Sequence, residues 1–247
     1  MSLPGLAEPT DKLKQLARGA RDTLPMLLGA APFGMIFGTL VSASAMLPWH
    51  GQLMSGAVYA GSSQFIAVGL VASHTGMLVI WLTTFIVNLR HMLYAATLLP
   101  HVAHLSTRWR CLLGFLLTDE TFAVVAGHHQ QNLSATERRY AHWYFLGSGL
   151  AMYFNWQCWT LVGLLFGTWF PQLQNMGLDY AMVATFIAII VPQLRRMPQL
   201  AAALAAAACA YLLQGLPYKL GLLAAVVVGV VVGMASSWRS ALGKESQ

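Results

Sequence analysis

The sequence predicts an all-α polytopic membrane protein, and three observations carry that expectation. Hydrophobic residues make up 57% of the chain and charged ones 9%, with a mean hydropathy of +0.60. An ordinary soluble domain carries about 25% charged residues. Apolar stretches of roughly 20 residues recur from Leu24 to Trp238, each long enough to cross about 30 Å of hydrocarbon. Basic residues gather at the ends of these stretches. The net charge of +6 therefore sets orientation under the positive-inside rule and is no footprint for nucleic acid.

Eight candidate transmembrane helices follow in order: 24–47, 52–72, 76–99, 111–127, 141–167, 178–194, 198–214 and 219–238. The first 23 residues are polar and show no cleavage site. They read as a cytoplasmic amphipathic segment, residues 1–23, with Thr10 as its N-cap. Residues 24–238 form a single transmembrane transport domain, and 239–247 a cytoplasmic tail. Lys12, Lys14, Arg18 and Arg21, then Arg138 and Arg139, Arg195 and Arg196, and Arg239 and Lys244 all fall inside if the N-terminus is inside. Arg108 and Arg110 fall on the wrong side. Either that exception is tolerated or one segment is re-entrant, which would leave seven spans.

Pro25, Gly29, Pro32 and Gly34 interrupt the first span. Both a simple proline kink and a broken helix lining a site satisfy that pattern. An internal repeat is also expected, since "YAGSSQFIA" (Tyr59–Ala67) matches "YAMVATFIA" (Tyr180–Ala188) at five of nine positions. "FGT" precedes each copy, at Phe37–Thr39 and Phe166–Thr168. An even number of spans per copy makes the copies parallel and an odd number inverts them. Cys111, Cys158 and Cys209 are isolated, giving neither a disulfide framework nor a metal site, and no cofactor is implied.

Only Arg90, Asp119 and Glu120 place charge deep in apolar spans. A charge at the bilayer centre costs about 2.5–3.5 kcal/mol on insertion scales, so such groups face inward and find partners. In "FIVNLRHMLY", Asn88, Arg90, His91 and Tyr94 share one arc of the helix, opposite Leu89, Met92 and Leu93. If the third and fourth spans form an antiparallel hairpin, Arg90 and Asp119 reach matching depth and form an ion pair. Glu120 is left without a cation and is suited to carrying a proton. "YAGSSQF" adds Tyr59, Gly61, Ser62, Ser63 and Gln64, read either as small-residue helix packing or as the polar lining of a substrate cavity. Asn155, Trp156 and Gln157 in the fifth span are candidates for the same lining. His101, His104, His128, His129 and His142 lie at span ends or in loops, where solvation outweighs metal binding.

Taken together and in this order, Pro32–Gly34, "YAGSSQF", "NLRHMLY" and "LTDETFA" resemble the AzlC family, large subunits of bacterial branched-chain amino acid exporters. The resemblance covers about residues 18–238. It implies secondary export of leucine, isoleucine, valine and methionine, coupled to protons, across the bacterial cytoplasmic (inner) membrane. It also implies a small AzlD-like membrane partner. Where some members carry an acidic residue, this chain has Asn88. Substrate binding then falls to Tyr59, Gly61, Ser62, Ser63, Gln64, Asn88, Arg90, His91 and Tyr94, and proton coupling to Asp119 and Glu120. An exporter or channel for another small solute and an intramembrane hydrolase using Ser62 or Ser63 with His91 are the competing readings.

Overall fold

A computed structural model describes residues 9–169, 187, 191, 194, 197–216 and 220–245. The described elements are all helices: α1 (Pro9–Asp22), α2 (Leu24–Ala43), α3 (Pro48–Ala57), α4 (Gly61–Ala72), α5 (Met77–Asn88), α6 (Arg90–Val102), α7 (Thr107–Phe115), α8 (Asp119–His129), α9 (Ala135–Arg139), α10 (Ala141–Trp169), α11 (Met197–Leu212) and α12 (Leu220–Glu245). They divide between two compact units, Met1–Val68 with Thr84–Met176, and Gly69–Thr83 with Gly177–Gln247. In the second unit α11 and α12 pair through an alanine–glycine seam, with Gly229 against Ala206 and Gly233 against Ala202. Apart from residues 187, 191 and 194, the sixth candidate span, "YAMVATFIA" and Arg195/Arg196 lie outside the described residues.

The first unit is organised by α2 and α10, which run parallel. Each carries a G-x-x-x-G step, Gly34–Gly38 and Gly163–Gly167. A methyl group on Gly38 would strike the Thr160 carbonyl, and one on Gly163 the Met35 carbonyl. Without a hydrophobic drive between helices in lipid, such close backbone contact is what holds them. Thr39 adds a hydrogen bond to the Gly163 carbonyl (3.2 Å) and Ser42 one to that of Leu164 (3.1 Å). The two "FGT" elements belong to these helices, and Gly167 lies against Thr39. Any duplication relating them is therefore a parallel one.

The first span is not broken. α2 passes through Pro32 as one helix, with Pro25 in its first turn, where a missing N–H costs nothing. The Asn155 amide donates to the Leu27 carbonyl near the proline (3.2 Å). At the other end of the chain's first segment, α1 begins at Pro9, so Thr10 lies inside the helix rather than at its cap. It crosses the start of α10, where Gly147 meets the Leu16 backbone and Gly19 that of Tyr144.

The breaks occur instead in the next three segments, at Val58–Ala60, Leu89 and Leu116–Thr118. Two of them reverse the chain. α3 enters from the far end of α10: Ser55 bonds Thr160 (2.8 Å), and the Gly56 carbonyl and Tyr59 ring meet Tyr153. After the turn α4 heads back, with Gln64 against Trp156 and Ser55, and Phe65 against Phe37. α7 enters from the near end, with Trp109 on Trp143 and Phe115 on Tyr153. α8 returns there, ending with His128 stacked on Tyr144.

The second and fourth candidate spans are therefore re-entrant hairpins, one from each end, and not crossings. This also removes the exception at Arg108 and Arg110, because the start of α7 lies at the same end as the start of α10. Between them, α5 and α6 form a nearly continuous helix, Met77–Val102, whose 26 residues are long and apolar enough to cross a membrane.

Candidate functional site

The two hairpin tips meet near the middle of α10. Tyr59, at the first tip, packs against Phe115 at the second (6.0 Å) and against Tyr153 of α10 (5.0 Å). Its backbone is left-handed, φ 46°, an uncommon state for a bulky residue and one that serves here to reverse the chain. Three helices begin at this level: α4 at Gly61, α6 at Arg90 and α8 at Asp119. The first turns and dipoles of α4 and α8 favour negative charge here, while α6 continues α5 almost unbroken.

The second tip carries the charge. Thr118 caps α8, its hydroxyl accepting from the Thr121 N–H (3.3 Å). Asp119 then pairs with Arg90 (Oδ2–Nη1, 3.1 Å) and accepts from the Tyr94 hydroxyl (2.7 Å). The Tyr94 ring in turn stacks on Phe122 (4.5 Å). The expected pair exists, but for a different reason from matching depth in an antiparallel hairpin. Arg90 meets Asp119, Tyr94 meets Phe122 and His101 meets His129, so α6 and α8 run parallel, and the two charges meet because both open a helix. Glu120 points elsewhere, partly buried, toward Thr118 and the Tyr59 hydroxyl.

Around the Leu89 break, His91 Nδ1 faces the Asn88 carbonyl (3.2 Å) and its ring abuts Tyr94. Two buried polar atoms there have no hydrogen-bond partner: Asn88 Oδ1, an acceptor, and Arg90 Nε, a charged donor. Buried groups of this kind normally find partners, and here an acceptor and a cationic donor two residues apart in the chain each lack one.

The first tip is neutral and internally bonded. Ser63 donates to the Ala60 carbonyl (2.9 Å). Gln64 donates to Ser55 (3.0 Å), while its carbonyl oxygen accepts from the Ala60 N–H and the Trp156 indole (3.2 Å each). Gly61 gives Trp156 room, the nearest ring carbon lying 3.0 Å from where a Cβ would sit. Gly61 and Ser62 are half-buried, Ser63 and Gln64 fully so. Asn155 and Gln157 serve as braces: Gln157 donates to the Ser55 carbonyl (2.7 Å) and accepts from Gln52 (2.7 Å).

Sequence reasoning missed Phe115, Thr118 and Tyr153. A signal for the paired tips was present, since each hairpin opens its second helix with a polar run, Ser62–Gln64 in α4 and Asp119–Thr121 in α8.

With this geometry established, known proteins can be compared. The family described as AzlC protein matches residues 25–170. The chain belongs to the AzlC family. An uncharacterized membrane protein of Helicobacter pylori (strain J99) is 30% identical over 75% of this chain and 78% of its own length. The inner membrane protein YgaZ of Escherichia coli K12 is 24% identical over 95% and 96%. The branched-chain amino acid transport protein AzlC of Bacillus subtilis 168 is 23% identical over 78% and 75%. No solved structure matches. The matched region contains α2 to α10, and so both hairpins and every residue of the candidate site. This AzlC-family chain is a membrane transport protein.

Proposed function

We infer that the chain is the large subunit of a secondary exporter of branched-chain amino acids, driven by proton exchange and working with a small AzlD-like membrane partner. The observation that carries this reading is the meeting of two opposed hairpins, with Arg90, Asp119 and Glu120 at their junction. Discontinuous helices meeting at mid-depth are the way transporters bring backbone dipoles and charges to a polar substrate inside lipid.

A zwitterion fits this chemistry. Arg90 Nε receives its carboxylate and Asn88 Oδ1 its ammonium. The aliphatic side chain lies among apolar and aromatic neighbours. Asp119 holds Arg90 in place, while Glu120 exchanges the proton. The chain is a multi-pass protein of the bacterial inner membrane, with its N-terminus in the cytoplasm alongside the other basic connections. A hydrolase is disfavoured, because Ser63 is committed to Ala60 and His91 to the Asn88 carbonyl.

The test is efflux of radiolabelled valine or leucine from vesicles carrying this chain, with and without the small partner. Uphill efflux that collapses with the proton gradient supports the reading. Flux that only equilibrates the solute would make the protein a channel, and full export by the single chain would remove the partner.

A further inference from the structure

At the end of the molecule bearing the basic connections, positive charge is treated in two ways. Some of it is answered by acid: Arg18 of α1 lies 3.8 Å from Asp22 and pairs directly with Glu137 of α9, and Lys14 lies 3.8 Å from Asp11. Between α1, α7 and α10 it is not. The Lys12 ammonium stands over the Trp143 ring of α10, 5.8 Å from its centre. Trp143 packs edge-on against Trp109 of α7 (5.2 Å), and Trp109 against His142 (5.0 Å). The groups that act electrostatically on His142 are His104 and Lys12, both of them bases. Among the described residues, none of Lys12, Arg108 and Arg110 forms an ion pair with a carboxylate. Groups of one sign gathered against low-dielectric walls concentrate the opposite ion.

The helix below Arg108 indicates what kind of anion. Arg108, Leu112 and Phe115 recur at i, i+4 and i+7, on one face of α7. All three are exposed, Leu112 at 43% and Phe115 at 44%, while Leu113 on the other face is buried in the core. α7 descends from the membrane surface toward the hairpin junction, and its 9 residues cover about 14 Å. That is close to the roughly 15 Å of hydrocarbon in one leaflet. The exposed face thus begins at a cation and continues apolar for the depth of one leaflet. A free inorganic anion has no use for the apolar part, whereas an amphiphile matches both.

We propose that the mouth between α1, α7 and α10 binds an anionic phospholipid, its phosphate held by Lys12, His104, His142 and Arg108 and an acyl chain lying on Leu112 and Phe115. Two observations support it: a group of bases without an acid, and an exposed apolar stripe that starts at one of them. Trp109 and Trp143 stand at the level of the headgroup, where amphipathic rings are favoured. Basic groups between helices at a membrane surface are suited to acidic headgroups. The lipid covers the outer face of the short α7, which has protein on its other side only. The site does not depend on which solute is carried.

The experiment is native mass spectrometry of the full chain in detergent, titrated with phosphatidylglycerol or with phosphatidylcholine of the same acyl chains. The wild type should retain phosphatidylglycerol severalfold more than phosphatidylcholine, and added inorganic phosphate should not displace it. In the Lys12→Gln, Arg108→Gln double variant the preference should fall to near parity. Arg138→Gln removes an exposed cation of the same end that bonds the Leu133 carbonyl instead, and should keep the preference. Equal retention of the two lipids by the wild type overturns the proposal, as does an undiminished preference in the double variant. Displacement by phosphate overturns it in favour of a soluble anion. Should the double variant fail to assemble, tryptophan fluorescence of the wild type in vesicles decides. Brominated phosphatidylglycerol should quench more than brominated phosphatidylcholine, and Trp109→Phe should lose most of the excess; no excess in the wild type overturns the proposal.

Discussion

The two re-entrant hairpins share a plan and differ in what they place at the tip. The α3–α4 tip is held by hydrogen bonds that end within the protein, from Gln64 to Ser55, Trp156 and Ala60. The α7–α8 tip places two carboxylates at the equivalent points, and only one of them is paired. The neutral tip spends its Gln64 side chain on partners within the protein and leaves the buried Tyr59 hydroxyl without one, while the charged tip holds a carboxylate that has no ion-pair partner.

The largest effect expected from breaking that contrast is at Glu120. Glu120→Gln mimics the protonated acid, so gradient-driven export should be lost while substrate counterflow at equal pH continues. Retention of gradient-driven export would move the coupling role to Asp119 or His91. Next comes Arg90→Ala, which strips Asp119 of its counter-charge at a cost of about 3 kcal/mol. The Tyr94 hydrogen bond remains and keeps the loss near the lower end of what such deletions cost. Folded yield in detergent should fall, and the Arg90→Asp, Asp119→Arg double variant should recover more than either single one. Normal yield of both single variants would show the pair to be dispensable.

On the neutral side, Gln64→Ala leaves the Trp156 indole and the Ala60 N–H unpaired, a loss of about 2 kcal/mol. Thermal stability should drop while the surviving protein keeps its proton coupling. Loss of coupling at full stability would mean that the first tip also takes part in the chemistry. The smallest effect is remote from both tips. The Ser134 backbone N–H, then the Ser134 hydroxyl and the Arg18 guanidinium, hold Glu137 down at about 2. A depressed carboxylate stabilises above its ordinary value and loses that contribution as pH falls toward its folded one. Between about 4.5 and 2 the α9 cap should therefore loosen in wild type, seen as faster proteolysis near Ser134, and show no such step in Glu137→Gln.

The membrane class and the charged pair were legible because an ionised group in an apolar run has few explanations. Re-entrancy was harder to read. Twenty apolar residues have the same composition whether they cross the bilayer or go halfway and return, and the hydrophobic pattern records burial without direction. The usable clue was Arg108 and Arg110 on the wrong side of a count of crossings. Proline pointed to the wrong place: α2 absorbs Pro32, while the real breaks need a capping Thr118 and a left-handed Tyr59. The partnership of Gln64 with Trp156 joins residues far apart in the chain, and no local pattern announces it.

The short halves of the hairpins also set an order of assembly. α7 has 9 residues and α8 has 11, lengths of about 14 and 17 Å, too short for either to span the membrane alone. Each needs polar backbone at its tip covered by other protein before it can settle at mid-depth. The cover is α10, which leaves the ribosome after both hairpins. At about 5–20 residues per second, the α3–α4 tip waits on the order of 5–20 s for it. During that interval the first hairpin must stay at the membrane surface or in the care of the insertion machinery. A chain truncated before Ala141 should then leave Gly61 and Asp119 open to water-soluble thiol reagents when either is replaced by cysteine, and completion of α10 should close both.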